Sequence, residues 1–123
     1  MDSFGVLFRE DHEADEVLVA IRATGASAWR GEGGTIVASR QAAHVWVDAY
    51  SVADLPSREE WPIPKRDVKG IISITVRRNE ESSYLAIEIA HQFASKLGGV
   101  ISWDGNEHWR RLYSTQYQQD SSS

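Results

Sequence analysis

Asp104, Glu107 and His108 lie close together in the segment KLGGVISWDGNEHW, residues 96–109, and such side chains can transfer protons or bind a metal ion. Asp104 and His108 are four positions apart, a spacing that would place both on one face of a helix. The triplet Asp-Gly-Asn after a predicted strand is instead typical of a turn, which does not maintain that geometry. We therefore interpret the segment as a helix end, a strand and a turn rather than as a reactive site.

Other sequence motifs for catalysis are also absent. The four histidines lack the H-E-x-x-H spacing of zinc hydrolases, and the chain has no cysteine. It contains no G-x-S-x-G, S-x-x-K or P-loop motif, and the glycines of RGEGGT lie between two predicted strands. We expect no catalytic residue, no metal and no cofactor. The enzymatic alternative is a small hydrolase-like enzyme that uses His44, Asp48 or His108 with an acid.

The charge distribution argues against nucleic acid as a ligand. The net charge is −5, and the six acids and one base of residues 1–16 account for all of it. A domain that binds phosphate groups needs a basic surface, which this chain lacks. An acidic surface attracts a basic protein, although it also serves solubility alone.

Hydrophobic periodicity predicts alternating strands and helices. Two helices are predicted, with Asp11 and Asn79 as N-caps and with ends near Gly25 and Gly98. The order of elements indicates an α+β two-layer sandwich with a mixed sheet of about five or six strands and two helices on one face, ferredoxin-like or related. The predicted strands cover residues 4–8, 27–30, 35–39, 44–50, 70–77 and 100–103.

The length predicts a single globular domain over residues 1–117, followed by a disordered polar tail over residues 118–123. The first residues do not have the pattern of a signal peptide, and no apolar run is long enough to span a bilayer. We therefore expect a cytoplasmic protein without membrane contact, present as a monomer or a weak homodimer.

Aromatic residues are frequent for a chain of this size, with five tryptophans in total. In AHVWVDAY, Trp46 and Tyr50 alternate with aliphatic residues, which places them on the sheet face opposite the helices. Trp109 follows the turn after the last predicted strand, where we expect it to be exposed. Exposed Trp and Tyr side chains near acids are typical of protein-binding surfaces.

The longest predicted loop, residues 51–69, contains all three prolines and the sequence Glu59, Glu60, Trp61. Long loops in small domains are often functional, so these three residues are candidates for partner contact. The alternative is that the Trp61 side chain packs against the domain and anchors the loop to it.

These features resemble the small bacterial immunity proteins of polymorphic and contact-dependent toxin systems. The resemblance covers most of the chain: a short strand, an acidic helix that ends near Gly25, the strand segment VWVD, and a late helix that leads into LGGVISWDG. It implies a non-enzymatic protein that binds and blocks a cognate toxin. A basic toxin would be complementary in charge to this acidic chain.

We expect the acids to pair with basic residues of the toxin and the aromatic side chains to anchor the contact. The predicted partner-binding residues are Glu59, Glu60, Trp61, Trp46, Tyr50, Asp104, His108 and Trp109. Glu13 and Glu16 on the first helix form an alternative surface. A small-molecule-binding sensor domain is a further alternative, in which sheets pair edge to edge and hold a ligand between subunits.

Overall fold

A computed structural model describes residues 2–50, 61–103 and 106–117. Within these residues one sheet contains six strands: β1 (Asp2–Phe8), β2 (Ser27–Arg30), β3 (Ile36–Arg40), β4 (Ala43–Tyr50), β5 (Gly70–Val76) and β6 (Val100–Ser102). The α-helices are α1 (Ala14–Arg22), α2 (Glu80–Leu97) and α3 (Glu107–Tyr117). The predicted α+β sandwich is confirmed.

Neighbouring strands are antiparallel throughout the described sheet, in the order β2-β3-β4-β5-β1-β6. The described sheet is therefore antiparallel. The mixed sheet that we expected from two strand–helix–strand units is not observed. The reason is that β1 lies between β5 and β6, the two strands that α2 connects. This split β-α-β arrangement is the one found in ferredoxin-like folds, and the β2–β3 hairpin extends the sheet beyond it.

The core lies between one face of the sheet and the helices. Along β4, Val45 and Val47 are buried while His44, Trp46 and Asp48 are half-buried, the alternation expected of a strand covered on one face. The apolar face of α2 meets these inward strand residues in one continuous cluster. The fully buried α2 side chains in this cluster are Leu85, Ala86, Ile89, Ala90 and Phe93.

Both ends of α2 are formed by the residues that the sequence predicts. Asn79 Oδ1 accepts a hydrogen bond from the Ser82 amide at 2.8 Å, which satisfies one of the free donors of the first turn. Gly98 ends the helix in the left-handed conformation, with φ 68°. At Gly99 the sheet comes so close that a Cβ atom would lie 2.6 Å from Val6 Cγ1.

α3 was not predicted, since residues 107–117 read as a turn and a polar tail. The helix packs on α2, and Trp109 is only 3% exposed. Its ring makes an edge contact with Phe4 at a centroid distance of 5.0 Å, and its Nε1 donates to Ser83 Oγ at 3.3 Å. The expectation that Trp109 is exposed for partner contact is therefore wrong. No helix in the described ranges is long and apolar enough to cross a membrane.

Replacing Trp109 by Ala should lower the free energy of unfolding by about 3–5 kcal/mol, because it removes a large buried side chain and leaves a cavity beside Phe4. The exposed neighbour His108 provides the control. His108→Ala should change the free energy of unfolding by less than about 0.5 kcal/mol. Urea unfolding of both variants measures the difference. Equal and small effects would contradict the core role of Trp109.

Candidate functional site

The sheet face opposite α1 and α2 carries a row of large side chains across β2, β3 and β4. The strand register places Trp29 opposite Val37, and Val37 opposite Trp46. Trp29 is 48% exposed, and the other two side chains are half-buried. We refer to Trp29, Val37 and Trp46 as the aromatic row.

Polar residues of β4 border the aromatic row on the same face. The rings of His44 and Trp46 are nearly parallel, with an interplanar angle of 26° and a centroid distance of 6.5 Å. Asp48 accepts a hydrogen bond from Thr35 Oγ1, which holds its carboxylate at the surface. Tyr50, at the end of the strand, is 50% exposed. The row therefore lies on a rigid sheet and has an imidazole and a carboxylate beside it.

The position of the row follows from how the strands are built. Successive side chains of a strand point to opposite faces, so each small or aliphatic residue that faces the helices has an outward neighbour. In β2, Ala28 is buried and Trp29 points outward. Sequence analysis missed Trp29 as a functional residue, because only the β2–β3–β4 register aligns it with Trp46.

The free edge of the sheet at β2 is partly blocked. The Arg22 guanidinium donates two hydrogen bonds to the carbonyl oxygen of Ala28, at 3.2 Å from Nε and 2.7 Å from Nη2. An acceptor occupied in this way is not available to an added strand. This arrangement disfavours the edge-to-edge pairing of the sensor alternative at β2, whereas β6 forms the other edge of the described sheet.

Farther across the sheet, a second apolar cluster covers the helix-free face. It contains Leu7, Ile63, Val68 and Ile71, and Trp61 packs against it. Trp61 is half-buried. This agrees with the alternative in which its side chain packs against the domain and so anchors the long loop.

The predicted contact residues do not all share one surface. Trp46 and Tyr50 lie on the helix-free face of β4, as predicted, whereas His108 is exposed on α3 in the helical layer. Trp61 lies at the second cluster and Trp109 in the core. The remaining predicted contact residues fall outside the described ranges: Glu59, Glu60 and Asp104.

The acids at the start of α1 have structural roles. The N-cap is Glu13 rather than the predicted Asp11, and its amide donates to Glu16 Oε1 at 3.1 Å. His12 Nδ1 lies 3.3 Å from Glu16 Oε2, while Nε2 donates to the Leu97 carbonyl oxygen at 3.0 Å. The hydrogen bond from the Glu13 amide, and then that from His12, lower the pKa of Glu16. His12 thus connects Glu16, in the first turn of α1, to the end of α2.

A pocket of about 460 Å³ opens where the end of the sheet meets the first turn of α1. We refer to it as the end pocket. Its apolar walls come from the helix-facing side of the strands and from α1, namely Phe8, Val17, Ile36, Val47 and Ile72. The charged and polar residues of its lining are Glu10, Asp11, His12, Arg30, Lys69 and Tyr50.

The geometry does not favour a pairing of His44 with Asp48 in the enzymatic alternative. His44 and Asp48 both belong to β4 but are four residues apart, so their Cα atoms are separated by roughly 13 Å. Trp46 lies between them on the same face. In the described part of the chain, no group of three or more His, Asp or Glu side chains could hold a metal ion.

No protein-family model matches this chain, and comparisons with curated proteins and with solved structures give no match. A functional proposal for the chain therefore depends on the geometry of its own surfaces.

The Glu16 hydrogen bonds predict a pH-dependent contribution to stability. Its folded-state pKa lies below the ordinary value of 4.5, so the contribution is full above the unfolded pKa and disappears as the pH falls through the folded pKa. Glu16→Gln should lower the urea midpoint at neutral pH and reduce the loss of stability below about pH 4.5.

Asp15→Asn is the matched control, because it removes a charge from the same turn without removing the bond to the Glu13 amide. Urea midpoints of both variants, measured between neutral pH and about pH 3, compare the two effects. An equal effect of both substitutions would show that charge in the first turn, rather than the Glu16 hydrogen bonds, is responsible.

Proposed function

We propose that this chain is a non-enzymatic protein-binding domain, an immunity protein whose helix-free sheet face binds and blocks a basic toxin. The observation that carries the proposal is the aromatic row. Two tryptophans and a valine lie side by side on an open sheet face, where a solvated sheet ordinarily carries polar residues.

Large aromatic side chains on a rigid surface suit protein recognition. Trp and Tyr supply most of the binding energy at many interfaces, because they bury a large area and have few rotatable bonds. Trp29, Trp46 and Tyr50 extend from β strands, so little backbone freedom is lost when a partner binds.

Charge supports a basic partner. The net charge of −5 arises from residues 1–16, and Glu10 and Asp11 of this segment line the same pocket as Tyr50. The acidic segment thus meets the helix-free face at the end of β4. Opposite charge on a toxin would accelerate its encounter with this surface, whereas the aromatic row would slow its release.

The first test is whether such a partner exists. The tagged chain is used to capture proteins from the cells that produce it, and each stoichiometric partner is expressed alone and together with the chain. The proposal expects a basic protein that is toxic alone, is harmless with the chain, and is released at about 0.5 M salt more readily than at low salt. A partner whose toxicity the chain does not relieve would overturn the immunity function.

The second test concerns the surface. Trp29→Ala and Trp46→Ala should each weaken the binding of that toxin about 10- to 100-fold, mainly through faster dissociation. Tyr84→Ala is the matched control, because Tyr84 is an aromatic residue of α2 with 39% exposure. Surface plasmon resonance measures the rates, and thermal unfolding verifies that each variant is folded. Unchanged affinity in both tryptophan variants would remove the aromatic row from the proposal.

A further inference from the structure

We infer that the end pocket is a binding site for a small zwitterion with an apolar body, such as an apolar amino acid or a dipeptide. The site is distinct from the aromatic row, because its strand walls lie on the helical side of the sheet, although Tyr50 and Ile71 reach it from the helix-free face. Its strand walls, Ile36, Val47 and Ile72, belong to the cluster that packs under the helices.

The size and walls of the pocket suit a small organic molecule. A volume of about 460 Å³ falls within the range of roughly 300–1,000 Å³ that is typical of such sites. Ala49 shows that the helical layer does not close the pocket: it points to the helical side of β4 opposite Ile72, yet it is exposed. An apolar side chain placed there would be removed from water by the walls around it.

Charges of both signs surround this apolar space. Glu10 and Asp11 approach it from the segment before α1, while Arg30 and Lys69 approach from the ends of β2 and β5. Within the described residues, these four side chains make no hydrogen bond or ion pair with the protein. Their charges are therefore available to a ligand.

Acidic and basic side chains both line the pocket, which favours a ligand that carries charges of both signs. An ammonium group would be stabilised by Glu10 and Asp11, and a carboxylate by Arg30 or Lys69. A ligand with only one of these groups would leave half of the charged rim without a partner. The site would also give the sensor alternative a ligand pocket within one chain, without the pairing of two sheets.

Titration calorimetry of the full chain with L-phenylalanine, L-leucine and the dipeptide Leu-Phe tests the inference. We expect at least one of them to bind with a Kd of about 1 mM or tighter. Phenethylamine lacks the carboxylate and 3-phenylpropionate lacks the ammonium group, so each should bind at least about tenfold more weakly than L-phenylalanine if that amino acid binds. The corresponding single-charge analogues of leucine or Leu-Phe provide this comparison if only those compounds bind.

Variants locate the site. Ala49→Trp should abolish binding by filling the pocket, and the exposure of Ala49 makes this substitution compatible with folding. Arg30→Ala and Lys69→Ala together should weaken binding about tenfold or more, whereas Arg66→Ala, an exposed cation outside the pocket, should not. Thermal unfolding confirms that each variant is folded.

Three results would overturn the inference: no binding of any of the three compounds, equal binding of a single-charge analogue, or undiminished binding in folded Ala49→Trp. None of these results bears on the aromatic row. Toxin binding that is lost in Trp29→Ala but kept in Ala49→Trp would separate the two surfaces.

Discussion

The packing of α2 on the centre of the sheet is the contact on which the rest of the structure depends. Leu85, Ile89 and Phe93 are fully buried against inward residues of the strands, and Gly99 allows the chain to turn from the helix into β6 within van der Waals contact of Val6. A residue with a Cβ at this position would clash with the sheet. α2 connects β5 and β6, and these two strands lie on either side of β1. β1 is therefore an internal strand of the sheet.

This packing places α1 and α2 in one layer, and within the described residues the other sheet face has no α-helix on it. The aromatic row occupies that free face, while the second cluster covers a different part of it. A protein that used this face only to remain soluble would carry polar residues there, because exposed tryptophan is costly in water. Burial of the row in a complex would remove this cost, and this is the physical basis of the binding proposal.

Sequence reasoning succeeded where the signal is local. The Asn79 cap and the Gly98 helix end involve hydrogen bonds and dihedral angles within a few residues, and both predictions are confirmed. The alternation in β4 was likewise predicted, so Trp46 and Tyr50 were placed on the helix-free face. At α1 the cap lies two residues after the predicted one, because Glu16 bonds the Glu13 amide and so selects that start.

The prediction was wrong where distant segments decide the outcome. The sequence of α3 is polar and gives little sign of a helix, but packing on α2 and the burial of Trp109 against Phe4 stabilise it. Isolated helices of this length are marginal in water, so tertiary contact rather than propensity determines whether such a segment is helical. Trp109 consequently belongs to the core and not to the binding surface.

The amino-acid sequence by itself determined the α+β class, the ends of α2, the acidic segment and the outward position of Trp46. These properties depend on composition, side-chain periodicity and short-range hydrogen bonds. Only the tertiary structure decided that Trp29 stands in register with Trp46 and that charges from residues 10, 11, 30 and 69 surround one pocket. Strand order and register are set by the burial of the whole core, which no single segment of the sequence can encode.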